Sequence, residues 1–576
     1  KARLGFRHRI WTDLYAMRLP LLIAAATCAL MTGLPLSAFA QQATTPFTLS
    51  SGSARTPEQM AVRFDAADLS FDIRPESRSI TGRAILDFTP LSAISVLALE
   101  LDTRFNIAAV HLNGTAVTNW TNPEGRLNIP LPHAFGTAEK IRITIDYSGT
   151  PHTATRAPWD GGFVWGESNG KPWIASAVQG EGCDLIWPCI DHPMGEPERV
   201  DMHITVPQGL SAPANGMLTG KVTNADGSTT WHWSTRNPNT YAISLNVGPF
   251  KELSGTYDSR YGNHIPLYFW PLETTPDDKA QRLFNQLPLM LDFFEDWVGP
   301  YPFADEKVGV VETPHLGMEH QTINAYGNGY KLDGKGYDWL MQHELAHEWF
   351  GNQMTNVSWD DMWLHEGFGT YMQPLYARWL YGDRAMQSEL ETMRKTVTNR
   401  FAMVSGQPQD AATVYNAETG PALDLYYKGA LIAHTLRLMI GDEAFKRALR
   451  ELVYDRADPA PGNFKPVYRT TADYVAIVNR ITGKDMGWFF DAYLYHAALP
   501  ELVMQRNGDQ VTLTWKTGSD LAFEMPVEVE IDGQAQTLPM QDGTARFTTD
   551  PRAHILLDPQ SKILRRLPHI EEWKAA

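Results

Sequence analysis

The sequence predicts an α+β protein of several domains, in which a large antiparallel β domain precedes a mainly helical domain and a small β-sandwich. The chain has 576 residues, which is long enough for two to four domains with their own cores. Apolar and polar residues alternate through most of residues 62–253 and again after Pro500, a pattern typical of strands with one buried face. Between these two regions, apolar residues recur with helical spacing.

The N-terminal β domain is predicted for residues 61–254. Apolar and polar side chains alternate over residues 79–88 and 141–147, as strands of a half-buried sheet require. The pair Asn113-Gly114 is a strong signal for a hairpin turn. Since such turns join neighbouring antiparallel strands, we expect an antiparallel sheet in this region.

The helical domain is predicted for residues 255–498. It begins with a helical pattern over 277–298, which Gly299-Pro300 would end. Helical spacing then recurs in five further segments: 337–350, 361–381, 383–402, 424–454 and 470–496. Alternation returns in four short segments, 501–504, 511–515, 527–531 and 545–547. These segments predict a small β-sandwich over residues 499–576.

The first forty residues have the organisation of a secretory signal peptide. Basic residues precede an apolar run over 19–30, and Ala38 and Ala40 form an A-x-A cleavage site. We therefore expect residues 1–40 to be removed and the protein to be exported, to the periplasm or outside the cell. Residues 41–60 are rich in Thr, Ser and Gln and are predicted to form a flexible leader.

The charge of the chain narrows the classes of partner. Its 49 basic and 66 acidic residues give a formal charge of −17, which argues against nucleic acid or an anionic membrane as the main partner. After residue 40 no stretch is apolar enough to span a bilayer, so no stable membrane insertion is expected.

The cysteines leave two possibilities open. Cys28 lies in the predicted signal peptide, so Cys183 and Cys189 are the cysteines of the predicted mature chain. In an oxidising compartment this pair could form a disulfide. Two buried free thiols are the alternative.

One motif in the helical domain has the spacing of a metal site. Residues 343–347 read His-Glu-Leu-Ala-His, and residues four apart share a helix face, so His343 and His347 can point to one ion. A second predicted helix returns with Glu366 and completes a three-ligand set that suits Zn²⁺ and leaves a position for water. Glu344 would be the general base that acts on this water. For an isolated motif of this length, the alternative is an ordinary charged helix face.

On these residues the chain resembles the gluzincin aminopeptidases, a family typified by aminopeptidase N and leukotriene hydrolase. The interval from His347 to Glu366 matches the family's zinc signature, and so do the flanking runs 349–352 and 363–368. The resemblance covers nearly all of the predicted mature chain. It implies a thermolysin-like catalytic domain over 255–498, one zinc ion per chain, and hydrolysis of the N-terminal peptide bond of peptide substrates.

The resemblance also implies a substrate site upstream of the zinc signature. The run Leu316-Gly-Met-Glu-His320 lies at the place of the family's Gly-x-Met-Glu-Asn motif. There Glu319 would bind the free α-amino group of the substrate, and Gly317 and Met318 would belong to the same substrate-binding motif. Leu316 and His320 depart from the family pattern, and both positions are expected to line the groove for the peptide backbone.

Two further assignments depend on the resemblance. Tyr426 stands first in a Tyr-x-Lys-Gly segment and would donate a hydrogen bond to the oxyanion that develops on the substrate. A loop of the β domain, residues 179–182, would close the first subsite, with Gln179 at the substrate-binding position and Glu181 as the alternative. Without the family pattern, a core tyrosine and a structural turn would be the ordinary interpretations.

Several functions are compatible with the sequence. The preferred one is a zinc aminopeptidase; the alternatives are a zinc endopeptidase of the HExxH…E type, an epoxide hydrolase side activity, and a catalytically dead, zinc-stabilised peptide-binding module. The dead module would be expected to lack Glu344 or Tyr426, and both are present. The chain as given resembles the three-domain form of the family without a helical C-terminal cap, which predicts a more open cleft. The oligomeric state and the preferred first residue of the peptide are left undetermined.

Overall fold

The structure is a computed structural model that describes residues 45–331, 334–462 and 464–576. The predicted signal peptide, residues 1–40, lies outside the described residues. The described residues belong to a single unit. Within this part of the chain, no helix is long and apolar enough to cross a membrane.

The N-terminal domain consists mainly of strands. Its elements are α1 (Pro57–Met60), β1 (Val62–Arg74), β2 (Ser79–Pro90), β3 (Ile94–Glu100), β4 (Phe105–Leu112), β5 (Thr115–Ala116), β6 (Arg126–Phe135), β7 (Ile141–Gly149), β8 (Gly162–Ser168), β9 (Lys171–Ala177), β10 (Arg199–Val206), β11 (Met217–Thr223), β12 (Thr229–Arg236) and β13 (Asn246–Val247). Along β2, Ile80, Ala84, Leu86 and Phe88 are buried in the core of the domain, whereas Arg83 is exposed. This alternation buries one face of the strand, as the sequence pattern predicts.

An eight-stranded sheet in the order β11-β12-β10-β1-β2-β7-β4-β5 forms most of this domain. Neighbouring strands in this sheet are antiparallel except β1 and β10, which pair in parallel. The predicted β domain is confirmed in class, and the parallel pair is an addition to it. Alternation could not reveal that pair, because side chains alternate with the same period in both kinds of sheet.

The second domain contains the helices. Its elements are β14 (Leu253–Asp258), β15 (His264–Trp270), α2 (Asp277–Phe284), α3 (Leu287–Trp297), β16 (Val308–Glu312), β17 (Gly317–Met318), β18 (Asn324–Tyr326), α4 (Trp339–Ala346), β19 (Met354–Asn356), α5 (Trp363–Tyr381), α6 (Asp383–Thr396), α7 (Ala411–Val414), α8 (Asp424–Ile440), α9 (Asp442–Tyr454), β20 (Val467–Arg469), α10 (Thr471–Thr482) and α11 (Gly487–Phe490). A five-stranded sheet, β14-β15-β16-β18-β17, packs with these helices, and β17 is its edge strand.

Three long helical patterns of the sequence are each divided in the structure. The predicted helix over 470–496 is broken at Gly483, whose φ of 66° ends α10, and α11 begins at Gly487. The predicted helix over 277–298 is broken at Asn285 and Gln286, just before Pro288, which lies in the first turn of α3. The predicted helix over 424–454 is broken at Gly441, whose φ of 85° ends α8 and starts α9. Apolar spacing continues across these breaks because the successive helices pack on the same core.

The C-terminal domain is the predicted small β-sandwich. Its elements are β21 (Glu501–Asn507), β22 (Gln510–Lys516), β23 (Val527–Ile531), β24 (Gln534–Leu538), β25 (Thr544–Thr548), β26 (Ile555–Leu557) and α12 (Pro568–Ala575). They form two three-stranded sheets, β21-β22-β25 and β24-β23-β26. The core of this domain is continuous with that of the helical domain, since Phe523 packs edge-on against Trp488 and Tyr493.

Residues 45–60 differ from the predicted flexible leader, because they make specific contacts with both large domains. The amide of Ser51 donates to the carbonyl of Gly180 (3.0 Å), and the carbonyl of Ser51 accepts from Ala411 (3.0 Å). Thr56 caps α1 with a capping box. Polar composition suggested disorder, yet here the hydroxyl groups cap a helix and bond to neighbouring elements.

Cys183 and Cys189 form a disulfide, which is one of the two states that the sequence left open. Both residues are fully buried beside the loop that contains Gln179. The disulfide therefore closes a short loop of the chain that begins just after the predicted substrate-binding residue Gln179.

Candidate active site

The three predicted metal ligands meet between α4 and α5. Asp338 caps α4 by accepting a hydrogen bond from the amide of Met341 (3.1 Å). One turn apart along this segment, the Nε2 atoms of His343 and His347 lie 3.2 Å from each other. The first turn of α5 brings Glu366 Oε2 to 3.7 Å from the Nε2 atom of His343 and 3.5 Å from that of His347.

Neighbouring groups fix the orientation of His347. Its Nδ1 atom lies 2.9 Å from the carbonyl oxygen of Phe350, to which it can donate, so Nε2 keeps its lone pair for a metal. A Cβ at Gly369 would lie 2.7 Å from His347 Cε1, which is closer than real contacts allow. Glycine at position 369 therefore lets α5 approach the imidazole.

The donor set fits one zinc ion. Glu366 uses Oε1 to accept hydrogen bonds from tyrosines, whereas Oε2 is buried and has no hydrogen-bond partner among the described residues. Burial and the neighbouring His347 hold the pKa of His343 well below its usual value, which favours the neutral imidazole that a metal requires. Two imidazole nitrogens and a carboxylate oxygen are ligands that Zn²⁺ prefers.

Glu344 lies beside the three ligands with its carboxylate against Gly317. A Cβ at Gly317 would lie 2.3 Å from Glu344 Oε1, so a larger residue there would displace the carboxylate. Burial, together with the charges of Glu319 and Glu366, raises the pKa of Glu344 well above its usual value. Gly317 and Met318 form the edge strand β17, so the predicted substrate motif lies directly next to the predicted base.

Glu319 is buried and receives hydrogen bonds from two residues of the β domain. Tyr241 donates its hydroxyl to Glu319 Oε1 (2.7 Å), and Gln179 donates from Nε2 to the same oxygen. Asn352 donates to the backbone carbonyl of Glu319 (3.0 Å) and so holds the motif against the segment that follows α4. The structure thus places a carboxylate at the boundary between the two domains, adjacent to the metal ligands.

The structure distinguishes Gln179 from Glu181, the two candidate substrate-binding residues of the β-domain loop. Gln179 lies in the site, where its amide bridges Glu319 and Tyr415. The carboxylate of Glu181 lies against Gly161, where a Cβ would be 2.0 Å from its Oε2 atom, and this oxygen has no hydrogen-bond partner among the described residues. Burial raises the pKa of Glu181 to about 7. The backbone turns between these two residues, so that only Gln179 contacts Glu319.

Two tyrosine hydroxyls contact the same oxygen of Glu366. Tyr426, on α8, donates to Glu366 Oε1 at 3.0 Å. Tyr415, in the irregular segment after α7, lies 3.1 Å from this oxygen. Sequence analysis assigned Tyr426 and missed Tyr415, because no motif or periodic pattern surrounds position 415.

Two other site residues were also missed. Tyr241 lies in the β domain outside any motif, and its contact with Glu319 depends on how the domains pack. His365 is buried with its Nε2 atom 3.6 Å from Glu319 Oε1, and its ring packs edge-on against that of His347. The position of His365 next to a metal ligand was the available signal for it.

The structure corrects the expectation that His320 lines the substrate groove. Its side chain has no exposed surface, and neither ring nitrogen has a hydrogen-bond partner in the described residues. Burial and the nearby His315 lower the pKa of His320 to about 3. Leu316 is half-buried and packs against the core of the helical domain. His320 therefore lies in the interior near His315 rather than along a groove.

A two-histidine, one-glutamate site on paired helices, with a further glutamate beside it, defines a zinc-peptidase type of active site. Comparison with known families agrees. The family model "Peptidase M1 N-terminal domain" matches residues 64–241, and "Peptidase family M1 domain" matches residues 289–493. The chain belongs to peptidase family M1.

Individual relatives are distant in sequence. The chain is 22% identical over 411 residues to probable aminopeptidase 1 of Saccharolobus solfataricus. The aligned region covers 66% of this chain and 49% of that protein. It is 22% identical over 382 residues to the tricorn protease-interacting factor F2 of Thermoplasma volcanium, covering 62% of this chain and 46% of the relative. The chain thus spans about half the length of the curated relatives it matches.

A solved structure resembles most of the chain. It is a mutant M1 zinc metallopeptidase from Deinococcus radiodurans bound to a Tyr-Ser-Ala substrate, with 25% sequence identity and a TM-score of 0.63. The match covers 77% of this chain and 96% of that structure. The order of β domain and helical domain is therefore shared with a protein of known structure.

Proposed function

We propose that this protein is a zinc-dependent aminopeptidase that hydrolyses the first peptide bond of peptides. The observation that carries the proposal is the buried carboxylate of Glu319 next to the metal ligands. A substrate with a free N-terminus brings an ammonium group, and a buried carboxylate forms strong, charge-assisted hydrogen bonds with it. Binding of that ammonium would fix the distance from the start of the peptide to the metal.

The chemistry that zinc would supply at His343, His347 and Glu366 is Lewis-acid polarisation of the scissile carbonyl and of the attacking water. Glu344 takes a proton from this water at its carboxylate and transfers it to the nitrogen of the leaving amine. One carboxylate thus serves first as a base and then as an acid.

Tyr426 supplies a hydrogen bond to the oxyanion. In the structure its hydroxyl donates to Glu366 Oε1 at 3.0 Å, so it lies directly beside the predicted metal ligands. Burial holds the pKa of Tyr426 well above its usual value, with a further rise from the charge of Glu366. This direction favours the protonated hydroxyl, which is the form that can donate a hydrogen bond.

Gln179 and Glu319 bind the α-amino group together. Gln179 Nε2 already donates to Glu319 Oε1, and its Oε1 atom offers an acceptor on the same side of the site. The tripeptide substrate of the Deinococcus relative supports peptides as the substrate class. The edge strand β17 gives an extended peptide a backbone beside which to lie.

A panel of aminoacyl-arylamides, each compared with its N-acetylated form, tests this function. We expect the zinc-loaded protein to hydrolyse the free compounds and to leave the acetylated ones intact, because acetylation removes the ammonium that Glu319 binds. Equal rates on both forms would instead support an endopeptidase. Hydrolysis of neither form, nor of peptides, would support a zinc-stabilised peptide-binding module.

We also propose that the protein is exported and that its first forty residues are a signal peptide. The basic, apolar and A-x-A segments of residues 1–40 support this, and so does the disulfide between Cys183 and Cys189, since disulfides persist in oxidising compartments. N-terminal sequencing of protein from cell fractions would test it. We expect the chain to begin near Gln41 outside the cytoplasm; an intact N-terminus in the cytoplasm would contradict it.

A further inference from the structure

We propose that Tyr415 is a positioning residue that links recognition of the substrate ammonium to the oxyanion donor Tyr426. In this mechanism the Tyr415 hydroxyl moves its hydrogen bond from Gln179 to Glu366 when an ammonium group binds. With Tyr415 donating to Glu366 Oε1, Tyr426 can turn to the substrate without leaving that buried oxygen unpartnered. The inference rests on the proposed function. It assigns to Tyr415 the role of making turnover depend on a free N-terminus of the substrate.

The first step concerns the hydrogen of Tyr415. Its hydroxyl oxygen lies 3.1 Å from Gln179 Oε1 and 3.1 Å from Glu366 Oε1. A tyrosine hydroxyl has one hydrogen, so it can donate to one of these acceptors at a time. The structure therefore holds two alternative hydrogen bonds at equal distance.

The second step concerns Glu366, which two tyrosines share. Tyr426 donates to the same Oε1 atom at 3.0 Å. When Tyr426 donates to the substrate instead, Oε1 loses that hydrogen bond, and a buried acceptor without a partner is unfavourable. Tyr415 is close enough to replace Tyr426 on this oxygen without any movement of the backbone.

The third step concerns Gln179. Its Nε2 atom donates to Glu319, and its Oε1 atom is one of the two acceptors within reach of the Tyr415 hydroxyl. An ammonium group bound by Glu319 would have N–H donors directed at that Oε1 atom. The substrate can thus replace Tyr415 as the donor to Gln179. Each exchange substitutes one donor for another, and no proton is transferred.

The position of Tyr415 is fixed by two neighbouring contacts. Its ring packs edge-on against Trp359, with centroids 5.5 Å apart, and Trp359 in turn contacts Gly52, where a Cβ would lie 1.9 Å from the indole Cδ1. Ser51 bonds to Gly180 on one side and to Ala411 on the other. Residues 50–52 therefore connect the Gln179 loop to the segment that contains Tyr415.

Tyr415→Phe tests the proposal, because it removes the hydroxyl and keeps the ring. We expect kcat on free aminoacyl-arylamides to fall about tenfold, as removal of a hydrogen bond to a charged group does. In a Tyr426→Phe background the same change should lower kcat less than twofold. Residue 426 then has no hydroxyl, so there is no hydrogen bond to Glu366 for Tyr415 to replace. Tyr427→Phe, next to Tyr426 on α8, is the matched control and should behave as wild type.

A second measurement does not depend on activity. Tyr415 and Tyr426 both stabilise the carboxylate that holds the metal, so the rate of zinc release to a chromogenic chelator should rise several-fold in each single variant and further in the double variant. Unchanged zinc release together with independent, multiplicative effects on kcat would overturn the proposal. If wild type hydrolyses N-acetylated substrates equally well, the proposed function fails; if wild type needs a free amino group and Tyr415→Phe equals wild type, this inference alone fails.

Discussion

The site has two halves that are constructed in opposite ways. The metal half is the set of predicted zinc ligands, and the ammonium half is Glu319 with the residues that donate hydrogen bonds to it. His343, His347 and Glu366 all come from α4, the turn that ends it, and α5, so helix geometry places them. The ammonium half brings Gln179 and Tyr241 from the β domain to a glutamate of the helical domain. Its geometry depends on the packing of two domains rather than on one pair of helices.

This difference predicts different consequences of mutation. Loss of a group in the metal half removes chemistry that no other residue supplies, so turnover should collapse while the fold persists in its own core. Loss of a group in the ammonium half leaves the metal and the base in place. We therefore expect weaker binding and weaker selectivity for free N-termini, with part of the turnover retained.

The largest effect should follow removal of the metal. Dialysis against a chelator should reduce activity to background, and one equivalent of Zn²⁺ should restore it, because the three ligands provide the site for a single ion. His347→Ala should copy the chelated state, with little bound zinc by metal analysis. Full activity of the metal-free protein would show that turnover does not depend on a metal at these three ligands.

Glu344→Gln should give the next largest effect. Removal of a general base typically costs about 10²–10⁴-fold in rate, and we expect a loss of that size in kcat with unchanged KM. The zinc content should remain that of wild type, since Glu344 is not a ligand. A variant that loses its zinc together with its activity would contradict the assigned role.

Tyr426→Phe should reduce kcat by about 10²–10³-fold, the usual cost of losing one oxyanion donor. Zinc should stay bound when no chelator is present, and Tyr427→Phe serves again as the control on the same helix. A rate close to wild type would contradict the role of Tyr426 as the oxyanion donor.

Glu319→Gln tests the ammonium half. Hydrogen bonds to charged groups are worth about 1.5–3 kcal/mol, so kcat/KM on free aminoacyl-arylamides should fall by roughly 10–100-fold. The rate on N-acetylated substrates should stay the same or rise, and the ratio of the two measures selectivity. If both rates fell equally, Glu319 would belong with the catalytic groups instead.

The smallest effect distinguishes two residues of one loop. Gln179→Ala should raise KM about fivefold, as expected for loss of a hydrogen bond worth about 1 kcal/mol. Glu181→Gln should stay within twofold of wild type, because its carboxylate lies against Gly161 rather than in the site. A reversed order of the two KM values would show that the loop has a different conformation in solution.

The same division explains how much could be predicted from the sequence. The spacing of His343 and His347 is a property of one helix, so the sequence alone indicated the metal site and its neighbour Glu344. Glu319 and Tyr426 came from a family resemblance, because their distance from the ligands along the chain carries no physical rule. Gln179 was preferred to Glu181 only through the family resemblance, since the direction of each side chain depends on the φ and ψ angles of a glycine-rich loop.

Other features were not accessible from local patterns at all. Tyr415 and Tyr241 reach the site through tertiary packing, and neither belongs to a motif. The leader was predicted to be flexible from its composition, yet Ser51 forms hydrogen bonds with both large domains. The fold class was predictable because alternation and helical spacing report burial of one face, whereas strand direction and helix breaks require the whole structure.

Digestion of one defined peptide and its N-acetylated twin, followed by mass spectrometry over time, tests the central claim most directly. The ammonium half should make the zinc-loaded protein remove residues one at a time from the free N-terminus and leave the acetylated peptide uncut. Internal cleavage of both peptides at the same bonds would contradict the account, because Glu319 would then play no part in choosing the bond.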